Sequence, residues 1–245
     1  MFQYAHALAL SKKYALQLRV SYADYGRPFS LGLFNISIDP NIPGTFEVIE
    51  YNGTYLPDRN WPTDDAILRS SASQIRIAGY FQNEKYFEPV ADEIRATFRL
   101  QPRRPPDSEG RTVVAVHVRR GDFLVTEHDL CRPRYYFQAI QIMRGLVQDP
   151  LFLVISDDPT WCRETFEFIP DLTVAESLSG KDAIETLSSC DAFILSNSTF
   201  GWWAAWLANR SPVIAPNRFL NGRTWLICPD RWITLPPDGR EVSAS

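Results

Sequence analysis

The sequence has no excess of positive charge and no long apolar run. Its 245 residues carry a net charge of −4, which excludes a general nucleic-acid binder or a protein that holds a membrane by a basic face. No window holds 18 uninterrupted apolar residues, so we expect no integral membrane segment. The N-terminus lacks the basic segment and cleavage site of a secretory leader, and we therefore expect a cytoplasmic protein.

Cysteine and the common nucleotide-binding fingerprints are also scarce. The four cysteines are widely spread without a C-x-x-C pair, so free thiols are expected. The absence of G-x-x-x-x-G-K-[ST] excludes a P-loop, and the second half has no G-x-G-x-x-G. Arginine far outnumbers lysine, and its planar fork can bind a carboxylate or a phosphate through two hydrogen bonds.

A Pro-rich polar segment at 101–111 predicts two domains, 1–104 and 105–245. In the first, composition favours a helix at 2–18 and strands at 16–22 and 74–80. A pair of helices interrupted near Pro89 is expected at 83–100.

The second half alternates strongly between strand and helix patterns. This alternation predicts a doubly wound α/β domain with a parallel sheet. The predicted strands are 112–118, 151–156, 172–176, 192–196 and 212–215, and the predicted helices are 134–148, 160–168, 181–190 and 199–209.

Unusual polar residues follow three of these strands. In a parallel sheet the carboxyl ends of the strands share one edge, where ligands bind. Arginines there offer positive charge, hydroxyls at a helix start favour phosphate, and carboxylates can accept from a base or a ribose. A nucleotide with a pyrophosphate fits all three. The clusters are Arg119-Arg120-Gly121-Asp122, Ser156-Asp157-Asp158 and Ser196-Asn197-Ser198-Thr199.

Other interpretations of these clusters remain open. Asp122 could simply pair with Arg120 at the end of a strand. Asp157 and Asp158 could bind Mg²⁺, although adjacent carboxylates on an extended segment point in opposite directions. The triplet 120–122 is also an adhesion sequence, but it adjoins a strand that we expect to be buried.

Several motifs resemble those of the α-1,2-fucosyltransferases, glycosyltransferase family 11. The matching stretches are HVRRGDF (117–123), ISDDPTWC (155–162), SNSTFGWWAAWLA (196–208), GYFQNEKYF (79–87) and MFQYAHALAL (1–10). The resemblance implies a GT-B-like fold of two Rossmann-like halves. It also implies transfer of L-fucose from GDP-fucose, with inversion, to the 2-hydroxyl of a galactoside in a glycan, without a metal or other cofactor. If that acceptor is lipid-linked, the protein is peripheral to the membrane.

The resemblance also suggests roles for individual residues. It places Arg119 on the β-phosphate of GDP and Ser198, Thr199 and Phe200 on the diphosphate. His117 and Arg120 are further candidates for donor binding. Asn197 either contacts the donor or caps a helix.

The catalytic base is expected to be Asp122 or Glu127. His128 is interpreted as a surface residue. Trp202, Trp203 and Trp206 are interpreted as core residues, because Trp202 and Trp206 share a helix face.

The start of the chain departs from the family pattern. The family motif runs Gly-x-Gly-Asn-Gln-Met-Phe-Gln-Tyr-Ala, and this sequence begins at its methionine. We therefore expect a start codon assigned too far into the gene, with an upstream strand and Gly-rich turn. A non-catalytic nucleotide-sugar or glycan binder, a different nucleotide-sugar donor and a fucosyltransferase of another linkage are the alternatives.

Overall fold

The computed structural model describes most of the chain in two compact units, Met1–Arg99 and Leu100–Ser245. The predicted domain boundary after residue 104 stays a prediction. The described residues are 1–20, 30–34, 36, 38–39, 47–51, 67, 69–71, 73–105, 108–178, 180–220 and 227–240.

The first unit begins with helix α1, Phe2–Lys13, whose buried residues are Phe2, Ala5, His6, Leu8 and Leu10. The helix ends before the predicted residue 18, because Ala15 takes a positive φ of 53°. Residues 16–20 form no strand, so the strand predicted at 16–22 is wrong there. Residues 21 and 22 lie outside the described part of the chain.

The rest of the first unit contains two parallel strands and a short helix. Strand β1, Glu47–Tyr51, pairs with β2, Ile75–Gly79, and β2 confirms the strand predicted at 74–80. Two short 3₁₀ turns, Glu84–Tyr86 and Glu88–Val90, precede helix α2, Ala91–Thr97. The predicted pair of helices is therefore one short α-helix preceded by 3₁₀ turns.

The second unit confirms the predicted alternation of strands and helices. Each predicted element is present with small changes at its ends, and among the described residues the sequence pattern missed the last strand. The strands are β3 Thr112–Val118, β4 Pro150–Ser156, β5 Leu172–Val174, β6 Ala192–Ile194, β7 Val213–Pro216 and β8 Ile233–Leu235, and the helices are α3 Pro133–Leu146, α4 Pro159–Phe166, α5 Gly180–Ser189 and α6 Thr199–Ala208.

These six strands form one parallel sheet in the order β5-β4-β3-β6-β7-β8. This is the order of a Rossmann-type doubly wound sheet, in which the chain winds outward in both directions from two central strands. The order therefore confirms the predicted fold class. It also places the topological switch point, where such sheets bind ligands, between the carboxyl ends of β3 and β6.

The central strand β3 is buried on both faces. Val114, Val116 and Val118 join one core cluster with Tyr135 and Tyr136 of α3. Burying a side chain of this kind contributes about 1.5–3 kcal/mol to folding. This core fixes the sheet beneath the strand ends.

Helix α6 carries the tryptophan-rich segment of the sequence. Trp202 and Trp206 are fully buried and stack 6.1 Å apart at an angle of 8°, which confirms their interpretation as core residues. The indole of Trp202 donates to the carbonyl oxygen of Ile227 at 2.8 Å. Within the described ranges, we find no helix with the length and apolar character needed to cross a bilayer.

Candidate functional site

Arg119 lies directly after β3 at the switch point and is held by two carboxylates. Its Nη2 donates to Asp122 Oδ1 at 2.6 Å, and its Nη1 lies 3.2 Å from Asp157 Oδ2. Its guanidinium carbon is 5.6 Å from the centre of the Phe123 ring. The side chain remains 37% exposed. Because a guanidinium carries five N–H donors, Arg119 keeps donors for an anion arriving from solvent.

Arg120 has different partners from Arg119 and is less exposed, at 21% against 37%. Its Nε donates to Asp158 Oδ2 at 3.1 Å, and its guanidinium lies 3.8 Å from the centre of the Trp161 ring. The suggested pairing of Asp122 with Arg120 is wrong, because Asp122 pairs with Arg119. Arg120 therefore binds the end of β3 to the start of α4.

Asp158 begins α4 as its N-cap. Its Oδ1 accepts from the backbone N–H of Trp161 at 3.1 Å, and Pro159 occupies the first turn, where the lack of an N–H costs nothing. Both oxygens of Asp158 thus have protein partners. Its predicted contact with a base or ribose stays a prediction.

Asp157 contacts both arginines, Arg120 through its backbone and Arg119 through its side chain. Its Oδ1 accepts from the backbone N–H of Arg120 at 2.9 Å, while its Oδ2 faces Arg119. A Cβ at Gly121 would lie 2.5 Å from Asp157 Oδ2. The glycine is therefore required for the close approach of this carboxylate to the turn after β3.

His117 is a buried residue beneath the site. It is 5% exposed, and its Nδ1 lies 3.0 Å from the hydroxyl oxygen of Ser196. Its ring lies 5.8 Å from that of Phe200. Burial, with a smaller contribution from the charge of Arg119, lowers the pKa of His117 to about 3. The imidazole is therefore neutral at physiological pH and links the ends of β3 and β6.

A neutral buried histidine makes stability depend on pH. Because burial lowers the folded-state pKa of His117 from 6.5 to about 3, its contribution is complete above pH 6.5 and is lost as the pH falls toward 3. We expect the free energy of unfolding to fall by about 1–2 kcal/mol between pH 7 and pH 5 from this group. Urea unfolding at both pH values should show a smaller fall in His117→Asn. An equal fall in both proteins would show that another group is responsible.

Ser198 caps the N-terminus of α6, which starts at the same edge of the sheet. Its Oγ accepts from the backbone N–H of Phe200 at 3.3 Å. Thr199 and Phe200, in the first turn, are partly exposed. Helix N-termini favour anions because of the helix dipole and the N–H groups of the first turn. The start of α6 and Arg119 therefore both favour an anion at this edge of the sheet.

Asn197 joins two loops and does not cap the helix. Its Nδ2 donates to the carbonyl oxygens of His128 at 2.9 Å and Phe219 at 3.1 Å. Its Oδ1 accepts from the thiol of Cys131 at 3.4 Å. With an exposure of 3%, Asn197 holds the loop after β3 against the segment after β7.

The loop after β3 carries both predicted base candidates. A 3₁₀ turn, Gly121–Val125, exposes Asp122 beside Arg119. Glu127 is exposed, and no described residue pairs with it. His128, interpreted from the sequence as a surface residue, is half-buried. Its ring stacks on Phe123 at 4.8 Å.

The acidic residues and thiols do not gather into a metal site within the described part of the chain. Independence from metals stays a prediction. The four cysteines are free, as expected. Burial raises the pKa of Cys131 and Cys228 to about 12, so both are neutral thiols at physiological pH.

The sequence pattern missed three aromatic residues that shape the site. Trp161 supports Arg120, Phe123 lies beside Arg119, and His128 stacks on Phe123. The sequence signal that could have found two of them is their position. Phe123 directly follows the cluster at 119–122, and Trp161 lies three residues after Asp158. No local pattern marks His128, because its partner Phe219 is distant along the chain.

Comparison with known proteins identifies a family and several relatives. A family model described as Glycosyl transferase family 11 matches residues 68–222. The chain is 29% identical to an alpha-1,2-colitosyltransferase of Escherichia coli, over 68% of this chain and 64% of that protein. It is 29% identical to the O-antigen biosynthesis glycosyltransferase WbnK of Escherichia coli, over 96% of both chains.

A vertebrate relative is similar at the same level. The chain is 31% identical to the galactoside 2-alpha-L-fucosyltransferase SEC1 of Bos taurus, over 78% of this chain and 56% of that protein. The chain therefore spans less than two thirds of the length of two of these three relatives.

Proposed function

This chain belongs to glycosyltransferase family 11, and we propose that it transfers L-fucose from GDP-fucose, with inversion, to the 2-hydroxyl of a galactoside in a glycan. The position of Arg119 carries the proposal. Arg119 lies at the switch point of a Rossmann-type sheet, at the edge where α6 begins, and it is partly exposed and paired with two carboxylates. Relatives named for fucosyl and colitosyl transfer support the reaction class.

The proposed role of Arg119 is to bind the β-phosphate of the donor. As the bond between the sugar and the phosphate breaks, negative charge builds up on this phosphate. A positive group already in place stabilises that charge without reorganisation during the reaction. Asp157 and Asp122 fix the position of the Arg119 guanidinium. We therefore assign the main electrostatic role to Arg119.

The start of α6 supplies the second part of the proposed diphosphate site. Ser198, Thr199 and Phe200 lie there, and the helix dipole favours negative charge. His117 supports the first turn of α6 from below through its contact with Phe200. The donor would therefore lie across the carboxyl ends of β3 and β6.

We propose that Asp157 acts through Arg119 and does not bind the donor directly. Asp157→Asn keeps an oxygen for the backbone N–H of Arg120 but loses the charge that faces the guanidinium. Because small displacements of a positioned group are costly, we expect kcat to fall about 10- to 100-fold. In an Arg119→Ala background the same substitution should have almost no effect. An equal loss in both backgrounds would instead indicate a direct contact between Asp157 and the donor.

The identity of the nucleotide can be tested by thermal melting. GDP should raise Tm, because a ligand that binds only the folded state stabilises it. At equal concentrations UDP and ADP should raise Tm less. Equal shifts from all three would contradict guanine recognition, while a GDP shift without sugar transfer would favour a non-catalytic binder.

Metal independence and the donor sugar need separate measurements. With EDTA present, GDP release should continue at a similar rate, and a strict requirement for Mg²⁺ or Mn²⁺ would contradict the proposal.

Because one relative is named for colitose, GDP-colitose should be compared with GDP-fucose. A higher kcat/KM for GDP-colitose would change the proposed sugar while leaving the nucleotide assignment intact.

A further inference from the structure

His128 has the geometry of an oriented base. Its Nδ1 lies 3.2 Å from the carbonyl oxygen of Phe219. A carbonyl oxygen can only accept a hydrogen bond, so Nδ1 carries the proton. In a neutral imidazole this leaves Nε2 unprotonated, with a free lone pair. Among the described residues, none forms a hydrogen bond with Nε2.

The ring of His128 is held from several sides. It stacks on Phe123 with centres 4.8 Å apart and an angle of 25° between the planes. The backbone N–H of His128 donates to Thr126 Oγ1 at 3.3 Å, and its carbonyl oxygen accepts from Asn197 at 2.9 Å. A base fixed by a third group is the usual arrangement for efficient proton transfer. Holding the ring in this way reduces the entropy lost when it meets a substrate.

Phe123 also links His128 to the proposed phosphate-binding arginine. The guanidinium carbon of Arg119 lies 5.6 Å from the centre of the Phe123 ring, and His128 stacks on the same ring at 4.8 Å. The separation between the guanidinium and the imidazole therefore cannot exceed the sum of these two distances. Arg119 and His128 therefore contact the same phenyl ring in the loop after β3.

An inverting displacement needs the base and the phosphate-binding group on opposite sides of the reacting carbon. The acceptor oxygen approaches the sugar carbon at about 3–3.5 Å, opposite the departing phosphate. The base lies about 2.6–3.2 Å beyond the acceptor oxygen. The guanidinium donor lies about 2.7–2.9 Å beyond the phosphate oxygen. With the bond between the sugar carbon and the phosphate oxygen added, base and arginine lie up to roughly 10 Å apart in such a displacement. The upper limit set by the two contacts with Phe123 is compatible with this arrangement.

The two carboxylates of this loop are less well arranged for the same task. Asp122 already accepts from Arg119 Nη2 at 2.6 Å, which places it on the phosphate side of the reaction. Glu127 is exposed, and within the described ranges no neighbour orients it. His128 combines a free lone pair with a fixed ring.

We propose that Nε2 of His128 is the general base that deprotonates the acceptor hydroxyl. The inference rests on the proposed function, whose catalytic base it identifies. The acceptor oxygen bonds to C1 of the sugar, and the bond between C1 and the phosphate oxygen breaks with its electron pair going to GDP. The acceptor proton moves to Nε2 and then leaves to water.

His128→Asn removes the proposed base but keeps the hydrogen bond to the Phe219 carbonyl oxygen. The amide nitrogen of asparagine is attached to Cγ, as Nδ1 is, so it can still donate to the Phe219 carbonyl. It has no counterpart of Nε2. We expect kcat to fall at least about 10²-fold, the usual contribution of a general base, while GDP still raises Tm. Asp129→Asn, which changes the next residue and its ion pair with Arg132, is the matched control and should stay within a few-fold of the unmodified protein.

The loss of activity in His128→Asn should depend on the acidity of the acceptor hydroxyl if His128 is a base. It should not depend on that acidity if His128 has only a structural role. A galactoside with fluorine beside the accepting hydroxyl loses its proton more easily, so the loss in His128→Asn should shrink with this acceptor. A loss of equal size with both acceptors would overturn the proposal, and this comparison holds even if the variant has a lower Tm. Near-normal turnover of His128→Asn, together with a large loss in Glu127→Gln, would also overturn it. Failure of the unmodified protein to transfer any sugar would instead overturn the proposed function itself, and the base assignment with it.

Discussion

Replacing Arg119 by alanine is expected to lower kcat about 10²–10³-fold, the usual effect of removing one group that stabilises developing charge. The guanidinium is held by Asp122 and Asp157 and remains partly exposed at the switch point. Its contribution should therefore be largest in the transition state, when the phosphate gains charge. Turnover measured by GDP release at saturating donor isolates this effect from binding.

Arg119→Lys and a distant arginine provide the controls. Lysine keeps the charge but loses the planar fork that spans Asp122 and Asp157, so it should restore little activity. Arg163→Ala removes an exposed arginine that pairs with Glu176, and it should leave kcat within a few-fold. Near-normal turnover in either Arg119 variant would remove the phosphate role from this residue.

Gly201→Ala is expected to cost about 1–3 kcal/mol of folding free energy through overpacking. A Cβ at this position would lie 2.6 Å from Nδ1 and 3.0 Å from Cγ of His117. That ring is buried and contacts the Ser196 hydroxyl, so it cannot move without breaking other contacts. Helix α6 packs closely on β3 only because residue 201 lacks a side chain.

Gly145→Ala is the matched control for this substitution. Gly145 lies in the last turn of α3, and an added Cβ would meet no atom within 4 Å. Alanine there should be neutral or should stabilise by up to about 1 kcal/mol, because it restricts the unfolded chain. Urea unfolding of both variants measures the difference. Equal stability of the two would contradict the tight packing of α6 against His117.

The sheet and its ligand edge were predictable from the sequence because their signals are local. The β-branched run at 112–118 and the alternation after it predicted the strands and their parallel pairing in a doubly wound sheet. The polar clusters beginning at Arg119, Ser156 and Ser196 each lie at the end of a strand pattern. Parallel pairing then brings these strand ends to one edge.

The pairing of side chains within that edge was not predictable, because it depends on distant parts of the chain. Arg119 could have paired with any nearby carboxylate, and only the register of β3 with β4 brings Asp157 to it. His128 is oriented by Phe219, which lies 91 positions away. Short strands are also weak signals, and the three residues of β8 were missed for that reason.

Transfer from GDP-fucose to a panel of β-galactosides tests the central claim most directly. We expect GDP release that depends on the galactoside, a product with an α-1,2 linkage, and loss of both in Arg119→Ala. Absence of GDP release with every galactoside, or transfer from a UDP-sugar in preference to GDP-fucose, would contradict the proposed function.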